Sequence, residues 1–488
     1  MIKIAMIGAG SIGFTRRLMS DVLAVPELRD THFAFTDISK RNLDMMTRLA
    51  TRMIEANPVK TRARISATLD RREAIRRADY IINTCRIGGL EAFKHDIEIP
   101  LKYGVDQCVG DTLGPGGIMY GQRGIPVILD FCKDIREVAK PGALFLNYGN
   151  PNAMLTWAAN HYGGVNAVGL CHGVQGGHAL IASVFGLPKD EVDIICAGIN
   201  HQTWYVQILH KGRDLTGELL AAFERHPNVM KREKVRVDLL RRTGYFSTES
   251  NGHLSEYVPW YRKRPNEIRK WICLDNWILG ETGGYLRVCT EQRNWFREEF
   301  PQWMKEEVKP FGPENRSHEH GSHIIEALET GRVYRGHFNV VNSGCITNLP
   351  DDCIVEVPGY VDRNGIGIPQ VGDLPGVCAA ICNASVSVQR LAVQAAVTGD
   401  PLLLKQAMMM DPLTGAVCNT PEIWQMADEM LVAQASWLPQ YAEAIQQAKK
   451  NLRGAKRLGT KKSRGAARLK TRSVAELKAL QHKPPKRK

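Results

Sequence analysis

Apolar residues follow two patterns along this chain. Over residues 1–200, short continuous apolar runs alternate with segments of helical spacing. The pattern predicts strands at 2–7, 32–36, 64–68, 80–84, 143–147 and 165–170. Helices are expected between them at 13–23, 40–56, 71–77, 125–138 and 151–159. Strand–helix alternation of this kind implies βαβ units on a parallel sheet. Beyond residue 200 the pattern loosens. Polar, Trp-rich and Pro-rich stretches mix with helical segments at 323–328 and 386–398. This half is expected to form an α+β layer over the carboxyl ends of the strands.

Composition changes the picture mainly at the C-terminus. The net charge is +13, but residues 449–488 hold sixteen Lys and Arg against one acid, Glu476, a charge of +15. The preceding 448 residues carry 48 basic and 50 acidic side chains, or −2. Basicity is therefore a property of the tail, which ends Lys483-Pro-Pro-Lys-Arg-Lys488. It lacks the apolar residues of a core, so disorder is expected, with one short helix over 474–480. The twelve cysteines show no disulfide or zinc-finger spacing, which fits free thiols in the cytoplasm. No apolar run reads as a membrane span, and the chain starts with a strand instead of a signal peptide. The expected divisions are 1–200, 201–448 and the tail at 449–488.

The first strand runs into Gly8-Ala-Gly10-Ser11-Ile-Gly13, a glycine-rich turn that opens a helix. Such a turn lets the backbone approach a pyrophosphate and packs helix on strand closely. Asp37 ends the second strand, where a carboxylate accepts from a ribose diol and repels a 2′-phosphate. Together these predict NAD and a Rossmann-like, doubly wound parallel sheet of the lactate/malate dehydrogenase type.

Candidate chemistry lies at later strand ends. Cys171-His172 follows the strand at 165–170, and Asn200-His201 ends the apolar stretch 192–199. A thiolate and an imidazole make a borderline-soft divalent site with positions left for substrate oxygens. Asp111 stands in Gly110-Asp111-Thr112-Leu-Gly114-Pro115-Gly116-Gly117, a stretch too glycine-rich for a helix and expected to line a site. Asn150 precedes Pro151 and is placed to cap the next helix or to bind a hydroxyl. The segment 248–261 gathers Glu249, His253, Glu256 and Tyr257 with Trp260 and Tyr261, whose faces suit a sugar ring or a core.

The order of these motifs resembles glycoside hydrolase family 4, the NAD- and manganese-dependent glycosidases, over roughly residues 1–440. The carrying segments are GAGSIG, DTLGPGG at 111–117, NYGNP at 147–151, CHGV at 171–174, INH at 199–201, TESNGHLSEYVPW at 248–260 and VEVPGYVDRNG at 355–365. The α-galactosidase branch is the most similar. The resemblance implies oxidation of the sugar at carbon 3, proton removal at carbon 2, elimination of the aglycone, addition of water and return of the hydride. It implies Cys171 and His201 as metal ligands, and Asn150 and Asn200 as substrate contacts. His172 would contact sugar or metal-bound oxygen, Tyr257 would serve as base, and Asp111 matches an acid position. It also implies a homodimer or homotetramer acting on a small glycoside. Gly149, Gly173, Tyr120 and the stretch His318-Glu-His320 depart from the family pattern, which leaves the sugar open between a neutral α-galactoside and a uronide or sulfonated sugar. Arg86, Arg123 and Arg287 are the candidate cations for the anionic case.

Two other classes fit less of the chain. A hydroxyacid dehydrogenase needs a His–Asp pair and a carboxylate-clamping Arg, and it has no use for Cys171 with His201. A nucleic-acid-binding protein is supported only by the tail.

Overall fold

The computed structural model describes residues 1–274, 276–459 and 465–481. Strands run β1 (Lys3–Ile7), β2 (His32–Thr36), β3 (Arg64–Thr68), β4 (Tyr80–Asn83), β5 (Leu144–Asn147), β6 (Asn166–Gly169), β7 (Val192–Ile199), β8 (Gln202–His210), β9 (Arg213–Asp214), β10 (Phe246–Ser247), β11 (Tyr334–Val341), β12 (Ile354–Asp362) and β13 (Gly365–Gly367). The parallel part has the order β3-β2-β1-β4-β5-β6, as a dinucleotide-binding sheet requires. Both faces of its inner strands are buried, while the edge strand β3 is exposed or half-buried along its length. Ile4 and Met6 join one apolar cluster while Ala5 and Ile7 join the other, which explains their continuous apolar runs.

The second half does not form a separate layer. It continues the same sheet at the β6 edge as antiparallel strands in the order β11-β12-β7-β8-β10. Helix Gly376–Thr398 packs against helix Gly114–Val138 beneath this extension. Among the described residues it is the one helix long and apolar enough to cross a membrane, and half of that stretch is buried inside the protein.

Three local expectations are corrected. The glycine-rich stretch at 114–117 is helical, because helix Gly114–Val138 starts there with Pro115 in its first turn. The glycines serve close approach: a Cβ on Gly117 would overlap the backbone of Thr112, so the loop that carries Asp111 is pressed onto the helix. Asn150 does not cap the following helix, Asn152–His161, whose N-cap is Pro151. Its amide instead donates to Asp111 Oδ2 at 3.1 Å. The tail, expected to be disordered, lies against the body over its described part, and the expected short helix spans Val474–Gln481. Buried carboxylates on the body pair with it, a partner set the local composition does not reveal. Residues 483–488 lie outside the described set.

Substituting Gly117 by Ala is expected to destabilise the fold by about 1–3 kcal/mol, as overpacking does. Activity should fall with it, since Thr112 and Asp111 must shift. Thermal unfolding and turnover of G117A measure both.

Candidate active site

The dinucleotide turn has its expected form. Gly10 N–H donates to Asp37 Oδ2 at 2.8 Å, and a Cβ on Gly10 would meet that oxygen at 2.8 Å. Asp37 Oδ1 accepts from Ser39 N at 2.8 Å, so the carboxylate clasps both loops and keeps lone pairs for further donors. Ser11 is the N-cap of helix Ile12–Leu23, but its side chain makes no capping bond and no acid occupies the first turn. The helix N-terminus therefore offers free N–H groups and a positive dipole end to a phosphate. These residues fit a dinucleotide.

The second centre is built by the β7–β8 hairpin. Ile199 pairs with Gln202, which leaves Asn200 and His201 as the two-residue turn. His201 has φ +65°, a left-handed conformation uncommon for a side-chain-bearing residue and found at functional sites. Its Nδ1 lies 2.9 Å from Thr112 Oγ1 and 3.1 Å from Tyr257 Oη. Its Nε2 faces Glu249 Oε2 at 3.5 Å, and its ring stacks on His253 at 5.2 Å between centroids. His201, Glu249 and His253 place one donor atom each within 4.8 Å of one another.

Polar atoms in this cluster lack partners. His253 Nδ1 pairs with Glu249 Oε1 at 2.8 Å, while its Nε2 has no hydrogen-bond partner. Asn200 Oδ1 is also unsatisfied. Buried polar atoms seldom stay unpaired without a function. Two imidazoles, a carboxylate and a nearby thiol are borderline donors that suit manganese, zinc or a similar divalent ion. The donor set fits a metal.

Charge is tightly coupled here. At Glu249, burial opposes ionisation, but His253 and His201 outweigh it and hold the carboxyl well below its usual range. Burial also works against the charge of His253, yet Glu249 raises its pKa. Cys171 follows β6; desolvation first, then Glu356 and Glu249, push its thiol well above the ordinary range, against the pull of Gly173 N–H and Asn200. Glu356 lies on β12 opposite Gly198 and accepts from Asn200 Nδ2 at 3.3 Å. Burial pushes its carboxyl up to about 7, which His201 and Asn200 resist.

Asp111 receives Thr112 Oγ1 at 2.9 Å, Asn150 Nδ2 at 3.1 Å and Arg86 at 3.4 Å. Burial disfavours its charge, but Arg86, His253, His201 and Asn150 together hold its pKa below the usual range. It is thus ready to accept a hydroxyl hydrogen, and it must gain a proton before it can donate one. Tyr257 is buried, and desolvation with Glu249, Glu256 and Asp111 pushes its phenol well up. A phenolate there requires added positive charge nearby.

The three candidate cations separate clearly. Arg123 is locked on Asp96 at 2.9 and 2.6 Å. Arg287 is locked on Glu281 at 2.6 and 2.7 Å and on Glu291 at 2.7 Å. Arg86 alone of the three reaches the cluster, caged by Phe93, Tyr120 and Tyr285 at 4.6–5.1 Å.

The structure joins Asp111, Asn150, Asn200, His201 and Tyr257 in one network and brings Cys171 into its charge field. It places His172 elsewhere. His172 Nε2 pairs with Glu319 Oε2 at 2.7 Å, and its ring faces Phe14 and Tyr148 beside the dinucleotide helix. Glu249 and His253 stand out in the sequence only as part of the acid-, His- and aromatic-rich segment 248–261, with no role attached, and Glu356 not as a site residue. Of these, Glu249 and His253 carry the spacing signal: they stand at i, i+4 on either side of Ser250, the N-cap of helix Asn251–Tyr257.

Comparison with known proteins identifies the family. The family model for family 4 glycosyl hydrolase matches residues 3–187, and the one for its C-terminal domain matches 196–414. An alpha-galactosidase of Rhizobium meliloti (strain 1021) is 60% identical over 478 residues, 98% of this chain and 97% of the relative. An alpha-galactosidase of Bacillus subtilis (strain 168) is 36% identical over 453 residues, 90% of this chain and 100% of the relative. The crystal structure of lplD from Bacillus subtilis superposes with a TM-score of 0.76 at 28% identity, covering 88% of this chain and 99% of that one. This chain belongs to the family 4 glycosyl hydrolases.

Proposed function

We propose that the chain hydrolyses α-galactosides, using NAD and a divalent metal, manganese first, as resident groups. The observation that carries this is the joining of two cofactor-fitting sites by one sheet: the glycine turn after β1, and the His201–Glu249–His253 cluster with Tyr257 and Asp111 around it. The two α-galactosidase relatives support the sugar. The state of Arg86 supports a neutral one, because its charge is already matched by Asp111. When bound, the dinucleotide supplies a reversible hydride acceptor and the metal supplies a Lewis acid beside the sugar hydroxyls.

The protein residues do the rest. Cys171 and His201, with Glu249 and His253 beside them, hold the metal. Asn150 and Asn200 orient sugar hydroxyls, and Asp111 accepts a hydrogen bond from one of them or, once protonated, serves the leaving oxygen. Tyr257 Oη exchanges the proton at carbon 2. His172, paired with Glu319, faces the junction between the sugar and dinucleotide sites. Gly8, Gly10, Ser11 and Gly13 hold the pyrophosphate, and Asp37 the ribose. Residues 1–200 serve the dinucleotide and 201–448 the sugar and assembly, as a cytoplasmic homodimer or homotetramer with no nucleic-acid or membrane partner.

Nitrophenyl glycosides test this reading, assayed with NAD, Mn²⁺ and reductant. The α-galactoside should be hydrolysed with no net NADH, and a chelator should stop it. Preference for an α-galacturonide or a sulfonated glucoside would replace the sugar assignment. Net NADH accumulation would replace the reaction.

A further inference from the structure

The basic C-terminal arm docks against the rear of the catalytic loop. Ala466 N donates to Asp106 Oδ2 at 3.3 Å, Leu469 N to Glu281 Oε1 at 3.2 Å, and Arg472 N to Glu291 Oε1 at 2.8 Å. The Arg472 guanidinium adds contacts of 3.2 and 3.1 Å to Glu291, and Arg468 reaches Glu98 at 2.6 Å. Arg269 Nε donates to Ala466 O at 2.6 Å, and Ala467 is buried with Ile268 and Ile272. Asp106, Glu281 and Glu291 are all buried.

The charges at this seam balance only with the arm. The body places Arg262 on Asp106, and Arg287 on Glu281 and Glu291. That sets two guanidiniums against four carboxylates, counting Glu98. Arg468 and Arg472 supply the missing positive charge. A buried carboxylate stripped of its partner is costly, so the seam favours the docked arm. It also pairs these two arginines with carboxylates of the body.

Two routes lead from the seam to Asp111. Asp106 opens the segment whose next residues, Cys108, Val109 and Gly110, donate backbone N–H groups to Glu256 at 2.5, 3.1 and 3.0 Å. Asp111 follows directly. Helix Gly284–Glu291 carries Arg287 and Glu291 on the arm side and Tyr285 in the cage of Arg86, which pairs with Asp111.

We infer that residues 465–481 are a positioning strap, holding the 106–111 loop and the Arg86 cage in register for Asp111, with Arg472 as its principal clasp. The inference rests on the reading that Asp111 belongs to the catalytic cluster.

The test compares the full chain with R472A, R472K and a chain ending at Gly459. Amide hydrogen exchange over 106–111 and 284–291 is read first, because it does not depend on activity. Exchange in R472A and in the truncated chain should quicken about tenfold in those two segments alone, and R472K should restore most of the protection. With the nitrophenyl α-galactoside, kcat should drop by about tenfold or more, as for other small misplacements of a reacting group. Affinity for Mn²⁺ and for NAD should hold. Unchanged exchange in R472A, or faster exchange spread evenly over the whole chain, would overturn the strap. If the wild-type chain hydrolyses none of the glycosides, the proposed reaction fails and the exchange data still decide the strap.

Discussion

Replacing His201 by Asn is expected to lower kcat/KM for the α-galactoside about 10³-fold or more, roughly 4 kcal/mol, which is the scale of a lost metal seat. Asn is the informative choice. His201 holds a left-handed φ of +65°, which Asn tolerates better than Ala, so the hairpin is expected to keep its turn. The substitution removes the nitrogen facing Glu249 Oε2 at 3.5 Å and leaves Glu249, His253 and Cys171 in place. Titration with Mn²⁺ should show binding weakened by at least about two decades, more than the tenfold to hundredfold typical of an outer-shell partner. NAD affinity should be unchanged, because the glycine turn follows β1, which β4, β5, β6, β11 and β12 separate from β7 in the sheet. Undiminished Mn²⁺ binding would move the metal away from His201.

The second large effect is expected from Tyr257→Phe. The change deletes one hydroxyl that lies 3.1 Å from His201 Nδ1, while Thr112 Oγ1 at 2.9 Å still satisfies that nitrogen. The ring is buried and keeps its shape, so stability should change little. A lost acid–base group reduces kcat by about 10²–10⁴-fold. Exchange of deuterium at carbon 2 with solvent should disappear in step with turnover. A variant that loses turnover but still exchanges that position would assign the proton to another residue, with Glu356 first in line because its carboxyl is pushed up to about 7.

The sequence shows the parallel half of the fold almost completely. The inner strands β1, β2, β4, β5 and β6 are largely buried, so they appear as apolar runs between helical segments, whereas the edge strand β3 is exposed and its sequence RISAT is mixed. The glycine turn and Asp37 are local in sequence and therefore legible as a site. The antiparallel extension is less legible, because β12 joins β7 through pairings far apart in the chain, such as Glu356 with Gly198. Glu356 therefore looked like one more residue in a strand. For Asn150, residue type and a following Pro leave a cap and a hydroxyl contact both open, and the partner that rules out the cap, Asp111, is 39 residues away. The glycines at 114–117 argue against a helix by composition, yet they mark where two backbones touch. The arm was misjudged because its own composition cannot show the buried carboxylates that receive it.

Gly173 gives a measured reason why the sugar was hardest to read. A Cβ there would lie 3.8 Å from Glu249 Oε2 and from Thr248, ordinary contact distances, so larger side chains fit without strain. Packing alone therefore does not dictate glycine at this position.

The unbroken sheet has a mechanical consequence. Enzymes built from two hinged lobes can open wide to admit substrate and then close to bring reactants together. Here the turn after β1 and the hairpin after β7 are fixed to one hydrogen-bonded slab. Between them the sheet narrows to single pairs, Asn339 with Gly169 where β11 meets β6 and Glu356 with Gly198 where β12 meets β7. Any relative movement of the two sites would be taken up at these two narrow junctions instead of at a hinge between lobes.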